Sequence, residues 1–207
     1  MDTQHLQAIV PPWAAESLKA QAVARRLLEF ASEAGIPRQS PVPSVERRTA
    51  GGAGQYVNPA ELNPLEPATA PDGARFPLQG HARLVRALFL AAFDADEPFP
   101  LVLSGALLRC YEQAGWSLAT GGRADPAQEP PAYPALGHLH TAALAIVDDA
   151  EFDRATAAKA RDMVNERISP RLCTADGLAA EDDQSRAFIA GAALIRHIEN
   201  PAAPALS

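Results

Sequence analysis

Cysteine is scarce in this chain, with two residues, Cys110 and Cys173, among 207. Neither belongs to a C-x-x-C pair, so the spacing offers no disulfide framework, zinc site or dithiol redox centre, and both read as buried free thiols in a reducing setting. Aromatic residues are few as well, at 6%, while alanine supplies much of the 47% hydrophobic share. That composition argues against an all-β chain and for small side chains on closely packed helices. Basic charge is in the minority: 18 Lys and Arg against 25 Asp and Glu give a net charge of -7 and an isoelectric point near 5.2. A surface built to hold phosphate backbones is thereby excluded, and direct DNA binding is not expected. No apolar run reaches membrane-span length, and Leu6 to Val10 is too short for a signal-peptide core. The expected setting is the cytoplasm, without membrane contact.

Proline and glycine, by contrast, are abundant, at 19 and 13. They are gathered into connecting segments, which leaves the rest of the chain free to form helices. The first helix is predicted over residues 14–34, with Ala20, Val23, Leu27, Phe30 and Ala34 on one stripe and Gly35-Ile36-Pro37 as its stop signal. Residues 38–75 read as a long, irregular, poorly packed connector. Helical periodicity returns over 79–93, where Leu84, Val85, Leu88, Phe89, Ala92 and Phe93 give a face broad enough for the middle of the core. Pro98 and Pro100 are expected to break the chain before a helix over 101–114, ended by Gly115. Residues 121–134 read as a polar, proline-bearing loop. Leu136, Leu139, Ala143 and Ile146 or Val147 define the next helix. Asp149 is placed to cap another, in which Phe152, Ala155, Lys159, Met163 and Ile168 recur, and Ser169-Pro170 ends it. The last helix, over 181–199, buries Phe188, Ala192, Ile195 and Ile198, with Asp182 and Asp183 near its positive end.

Local wording adds what periodicity lacks. Lys19-Ala20-Gln21-Ala22-Val23, Leu27-Leu28-Glu29 and Ala34-Gly35-Ile36-Pro37 are followed in order by Leu62-Asn63-Pro64-Leu65-Glu66-Pro67 and Phe76-Pro77-Leu78-Gln79. Then come Leu84 to Phe93, Pro98-Phe99-Pro100, Arg109-Cys110-Tyr111, Gly115-Trp116, Tyr133-Pro134 and Arg186-Ala187-Phe188-Ile189-Ala190-Gly191. Over most of residues 15–199 this order resembles the HerA/FtsK-like P-loop ATPases, the DNA-pumping motors. The resemblance implies descent from an α/β domain, ATP hydrolysis with Mg²⁺, and a hexameric ring.

The catalytic parts of that family are missing here. A phosphate-binding loop needs glycines so that backbone N–H groups can wrap the phosphates, a lysine, and a hydroxyl on Mg²⁺. Laying G-x-x-x-x-G-K-[ST] on the chain puts Trp13 and Leu18 at the glycine positions, Lys19 at the lysine and Ala20 at the hydroxyl. Lys19 is the one candidate nucleotide contact, against a solvated lysine on the first helical turn. The second element would be an apolar strand ending in acids. Leu144-Ala145-Ile146-Val147-Asp148-Asp149 is the nearest run, and its helical flanks make it a helix end. Between Arg171 and Glu181 no β-rich run stands where the family keeps this strand, and Arg38-Gln39-Ser40-Pro41-Val42-Pro43 cannot pair in a central sheet.

Other signals are weaker. Ala50-Gly51-Gly52-Ala53-Gly54-Gln55 reads as a flexible loop. His138 and His140 lie two apart, about 200° around a helix, and cannot chelate one ion, so no metal site is expected. Ser104 and Ser185 lack the histidine and carboxylate context of a nucleophile. Arg83, Arg86 and Arg109 can form a small basic face for a nucleotide or an acidic partner.

The expected fold is therefore mainly α, a bundle of five to six helices in one domain over 1–207, the remnant of a P-loop domain with most of its sheet lost. Residues 76–199 form its helical core and 200–207 a flexible tail. The expected role is a degenerate, non-catalytic relative of the motors, with no cofactor and no catalytic residue, acting as a binding or scaffold module on a protein partner. That partner would be an intact paralogous ATPase or a second copy. The alternatives are an ATP-binding subunit of a hexameric DNA-pumping ATPase, with Lys19 holding ATP, and an unrelated small helical interaction protein.

Overall fold

A computed structural model describes residues 17–36, 62–69, 73–93, 96–125, 132–169 and 183–200. Within them the chain is mainly α. The elements run in the order α1 (Leu18–Glu33), α2 (Leu78–Ala92), α3 (Phe99–Gln113), β1 (Trp116–Ser117), β2 (Gly122–Arg123), α4 (Leu136–Asp149), α5 (Arg154–Arg167) and α6 (Asp183–Glu199). None of these helices is long and apolar enough to cross a membrane.

The ends of the helices follow from identifiable residues. Ser17 caps α1 by accepting the Ala20 N–H at 3.1 Å. At the other end Gly35 takes a φ of +63°, which costs glycine no Cβ clash, while the Gly35 and Ile36 amides return to the Ser32 and Ala31 carbonyls. This is a Schellman closure, with Ile36 buried beside it. α3 begins at Phe99, earlier than its prolines suggested: Pro100 sits in the first turn, where its missing N–H is no loss. Asp149 does not cap the following helix. It is the last residue of α4, and Asp153 caps α5 by accepting the Ala155 and Thr156 amides at 2.8 and 2.9 Å. Those bonds, the Thr156 amide first, hold the Asp153 carboxyl below its ordinary range.

One hydrophobic cluster joins all six helices. α1 and α6 lie side by side and run parallel, since Ser17 meets Asp183 at one end and Val23 and Leu27 meet Gly191 further along. α2 packs on both and on α3, as its broad apolar face requires. α6 is enclosed on nearly all sides, with Phe188, Ile189, Leu194 and Ile195 buried around its circumference. Phe188 packs against Phe89 and Phe93, with ring centroids 4.9 and 6.1 Å away. α3 and α4 pair closely, and α5 covers α4 through Ala160, Met163 and Val164. The expected face through Ala155 and Lys159 is rotated: both are exposed.

Two parts of the expected loops are ordered. Residues 121–125, assigned to a polar loop, include β2, which pairs antiparallel with β1 in the register Trp116↔Arg123 and Ser117↔Gly122. Trp116 stacks on Tyr133 at 4.3 Å, and Arg75 lies over the same tyrosine at 5.4 Å. Within the connector, Leu62 and Leu65 belong to the core, so residues 62–69 form a packed strap. Asn200, assigned to the tail, is held by its side-chain amide donating to the Thr69 carbonyl at 3.0 Å. Trp13, the glycines of 51–54, Cys173, Asp182 and residues 201–207 lie outside the described residues.

Candidate functional site

The position that would meet phosphate is the start of α1. A helix N-terminus offers unpaired amides and a positive dipole end, which together attract an anion. Here Ser17 Oγ takes up the Ala20 amide and donates to Asp183 Oδ1 at 2.7 Å. Asp183 lies in the first turn of α6, so its carboxylate serves the positive ends of two parallel helices at once. Leu18, at a glycine position of the loop motif, is 82% exposed. Ala20, at the hydroxyl position, is fully buried in the core. Lys19 lies half-buried between them on the first helical turn. An anionic ligand at this end would meet the carboxylate of Asp183, with one lysine and no glycine-built cradle to offset it.

The second acidic candidate, Leu144 to Asp149, is helical throughout and ends α4. Its two carboxylates are engaged separately: Asp148 pairs with Arg161, and Asp149 with Arg109 at 2.6 Å. His138 and His140 also part company. His138 Nδ1 accepts the Ala135 amide at 3.0 Å, which fastens the start of α4, and His140 Nε2 meets Asn165 Oδ1 at 3.0 Å. Ser104 Oγ donates to the Pro100 carbonyl and accepts from Arg86 Nε. Arg86 and Arg109 thus have different partners, and Arg83 is exposed on α2.

One buried polar centre was not anticipated from the sequence. His81, on α2, and Glu199, at the end of α6, lie 2.6 Å apart with side chains 1% and 0% exposed. A carboxylate only accepts, so His81 Nδ1 carries the proton of this bond. The other Glu199 oxygen accepts the Ala68 amide at 2.8 Å. Nearby, the Tyr111 hydroxyl donates to the Leu65 carbonyl at 2.7 Å, and Asn63 Nδ2 to the Pro134 carbonyl at 3.0 Å. Burial pushes the Tyr111 phenol well above its ordinary range, with Cys110 and Glu199 adding in the same direction. An imidazole oriented by a carboxylate is an arrangement that general bases use. At 1% exposure this one is closed to a substrate, and its bonds instead tether the strap of residues 62–69 to α2, α3 and α6. The signal for it lay in the pattern: His81 falls on the buried stripe of Leu78, Leu84, Val85 and Leu88, and a polar residue on such a stripe calls for a buried partner.

An open cleft of about 720 Å³ lies beside the hairpin, lined by Glu112, Trp116, Ser117 and Arg123 among others, and by none of Lys19, His81 and Glu199. No family model, curated protein or solved structure matches the chain.

Proposed function

We propose that this protein is a degenerate, non-catalytic relative of the HerA/FtsK-like DNA-translocating ATPases, acting in the cytoplasm as a binding or scaffold module. Its partner is a protein, an intact paralogous ATPase or a second copy of the chain. The observation that carries the reading is the start of α1. The amide that would face a phosphate is capped by Ser17, the adjoining position holds the Asp183 carboxylate, and a buried methyl, Ala20, stands where Mg²⁺ would need a hydroxyl. The parallel packing of α1 and α6 also supports descent from an α/β domain, because crossover connections lay helices parallel on one face of a sheet.

The direct test is titration of a fluorescent ATP analogue with and without Mg²⁺. The expected result is no saturable binding in either case. Micromolar affinity that Lys19→Ala abolishes would sink the reading and restore the ATP-binding alternative.

A further inference from the structure

The strap of residues 62–69 and the cleft beside the hairpin are joined by one continuous run of contacts. It starts at the end of α6, where Glu199 accepts the Ala68 amide at 2.8 Å and the Asn200 side-chain amide donates to the Thr69 carbonyl at 3.0 Å. Thr69 forms an antiparallel bridge with Arg75, and the Phe76 amide donates to the Ala68 carbonyl at 3.1 Å, so Arg75 is fixed beside the strap. Residues 132–134 are then gripped at two points. Arg75 Nη1 donates to the Tyr133 hydroxyl at 3.1 Å, with the guanidinium 5.4 Å from the ring centre, and Asn63 Nδ2 donates to the Pro134 carbonyl at 3.0 Å.

Residues 132–134 lie in no helix or strand, so side-chain contacts rather than a backbone ladder place them. They in turn place Trp116. Its ring stacks on Tyr133 with centroids 4.3 Å apart and planes within 7°, and its Nε1 donates to the Ala132 carbonyl at 3.3 Å. A stacked face sets the tilt of the indole, and a directed N–H sets its rotation in the plane. Trp116 is a wall of the 720 Å³ cleft, and so is Arg123, its partner across the β1–β2 pair. Glu199, Asn63 and Arg75 do not line that cleft, yet each belongs to the path that ends at its wall.

We propose that the strap is a latch for the cleft: its attachment to the end of α6 holds Trp116 and Arg123 in place through residues 132–134, and its release loosens that wall. The coupling runs in both directions, so whatever steadies Trp116 also steadies the Ala68 amide.

The test uses the full chain carrying Trp13→Phe, so that emission comes from Trp116, the other of its two tryptophans. Emission maximum and acrylamide quenching follow the cleft wall, hydrogen exchange of the Ala68 amide follows the strap, and far-UV circular dichroism follows the helices. Glu199→Ala should speed Ala68 exchange by roughly tenfold, the loss of about one buried hydrogen bond. It should also shift Trp116 emission to the red and raise its quenching. Asn63→Ala and Arg75→Ala, which break the middle of the path, should move Trp116 in the same direction with the helices intact. Gly191→Ala, which disturbs α6 against α1 and α2, should leave Trp116 emission where it is. Faster Ala68 exchange in Glu199→Ala with Trp116 unmoved overturns the proposal, because strap and cleft would then be independent. Unchanged Ala68 exchange in that variant also overturns it, as does an equal Trp116 shift in Gly191→Ala, which would mean general loosening. Should Glu199→Ala lose its helical signal, Asn63→Ala and Arg75→Ala decide, and an unmoved Trp116 in both overturns the proposal.

Discussion

Glu199 accepts hydrogen bonds from groups 118 and 131 residues earlier in the chain, the His81 imidazole and the Ala68 amide. Both donors are shielded from water, so removing the carboxylate leaves them unpaired rather than rehydrated. Glu199→Ala should therefore cost about 3 kcal/mol in urea unfolding, and Glu199→Gln less, because its amide oxygen still accepts one bond. A Glu199→Ala variant as stable as wild type would mean that the strap is held by its leucines alone. Next to this centre, burial pushes the Cys110 thiol from an ordinary 9.0 up to about 12. The unfolded chain ionises Cys110 near 9 while the folded chain keeps it protonated. Stability from this group is thus complete below that pH and is lost as pH rises toward 12, at about 1.4 kcal/mol per unit. Tyr111, raised as well, adds to the loss above its own ordinary value of 10.0. Urea midpoints should fall steadily above about pH 9, and Cys110→Ala should lessen the first part of the fall. A flat profile through that window contradicts the burial of these two groups.

Between helices, contact depends on small residues as much as on large ones. A Cβ at Gly191 of α6 would stand 2.3 Å from Leu88 Cδ1, 3.0 Å from Val23 Cγ1 and 3.3 Å from Leu27 Cδ1, with all three side chains buried. Overpacking of this kind costs about 1–3 kcal/mol, against about 1 kcal/mol gained in helix propensity. Gly191→Ala should lower the thermal midpoint by a few degrees, and an unchanged or higher midpoint would contradict the close approach of α1, α2 and α6. The helices themselves were legible in the sequence, because apolar spacing and the signals at Gly35 and Gly115 are local. The cap of α5 was not: Asp149 and Asp153 are both acids ahead of a helical run, and α4 runs on through Asp149, which leaves Asp153 to accept the first amides of α5. The Trp116 hairpin escaped as well, since two-residue strands leave no alternation to read.

At the scale of the molecule, the six helices of the described residues share one core, and the polar groups that matter most bridge long spans of sequence. Ser17 and Asp183 are 166 residues apart, and nothing in the spacing of either suggests the other. That Trp13, Leu18 and Ala20 stand where a phosphate-binding loop needs two glycines and a hydroxyl was legible position by position. That the start of α1 is closed by the chain's own hydroxyl and carboxylate became visible only once α1 and α6 lay side by side. The strap of residues 62–69 departs from its sequence pattern for a similar reason: its prolines suggest an open connector, while Leu62 and Leu65 are buried in the core and the Leu65 carbonyl and Ala68 amide are held by Tyr111 and Glu199 on distant helices. The central proposal, a relative of the DNA-pumping ATPases that does not bind nucleotide, meets its most direct test in the ATP-analogue titration. The account predicts no saturable signal with or without Mg²⁺, unchanged in Lys19→Ala. Saturable micromolar binding that depends on Lys19 would contradict it.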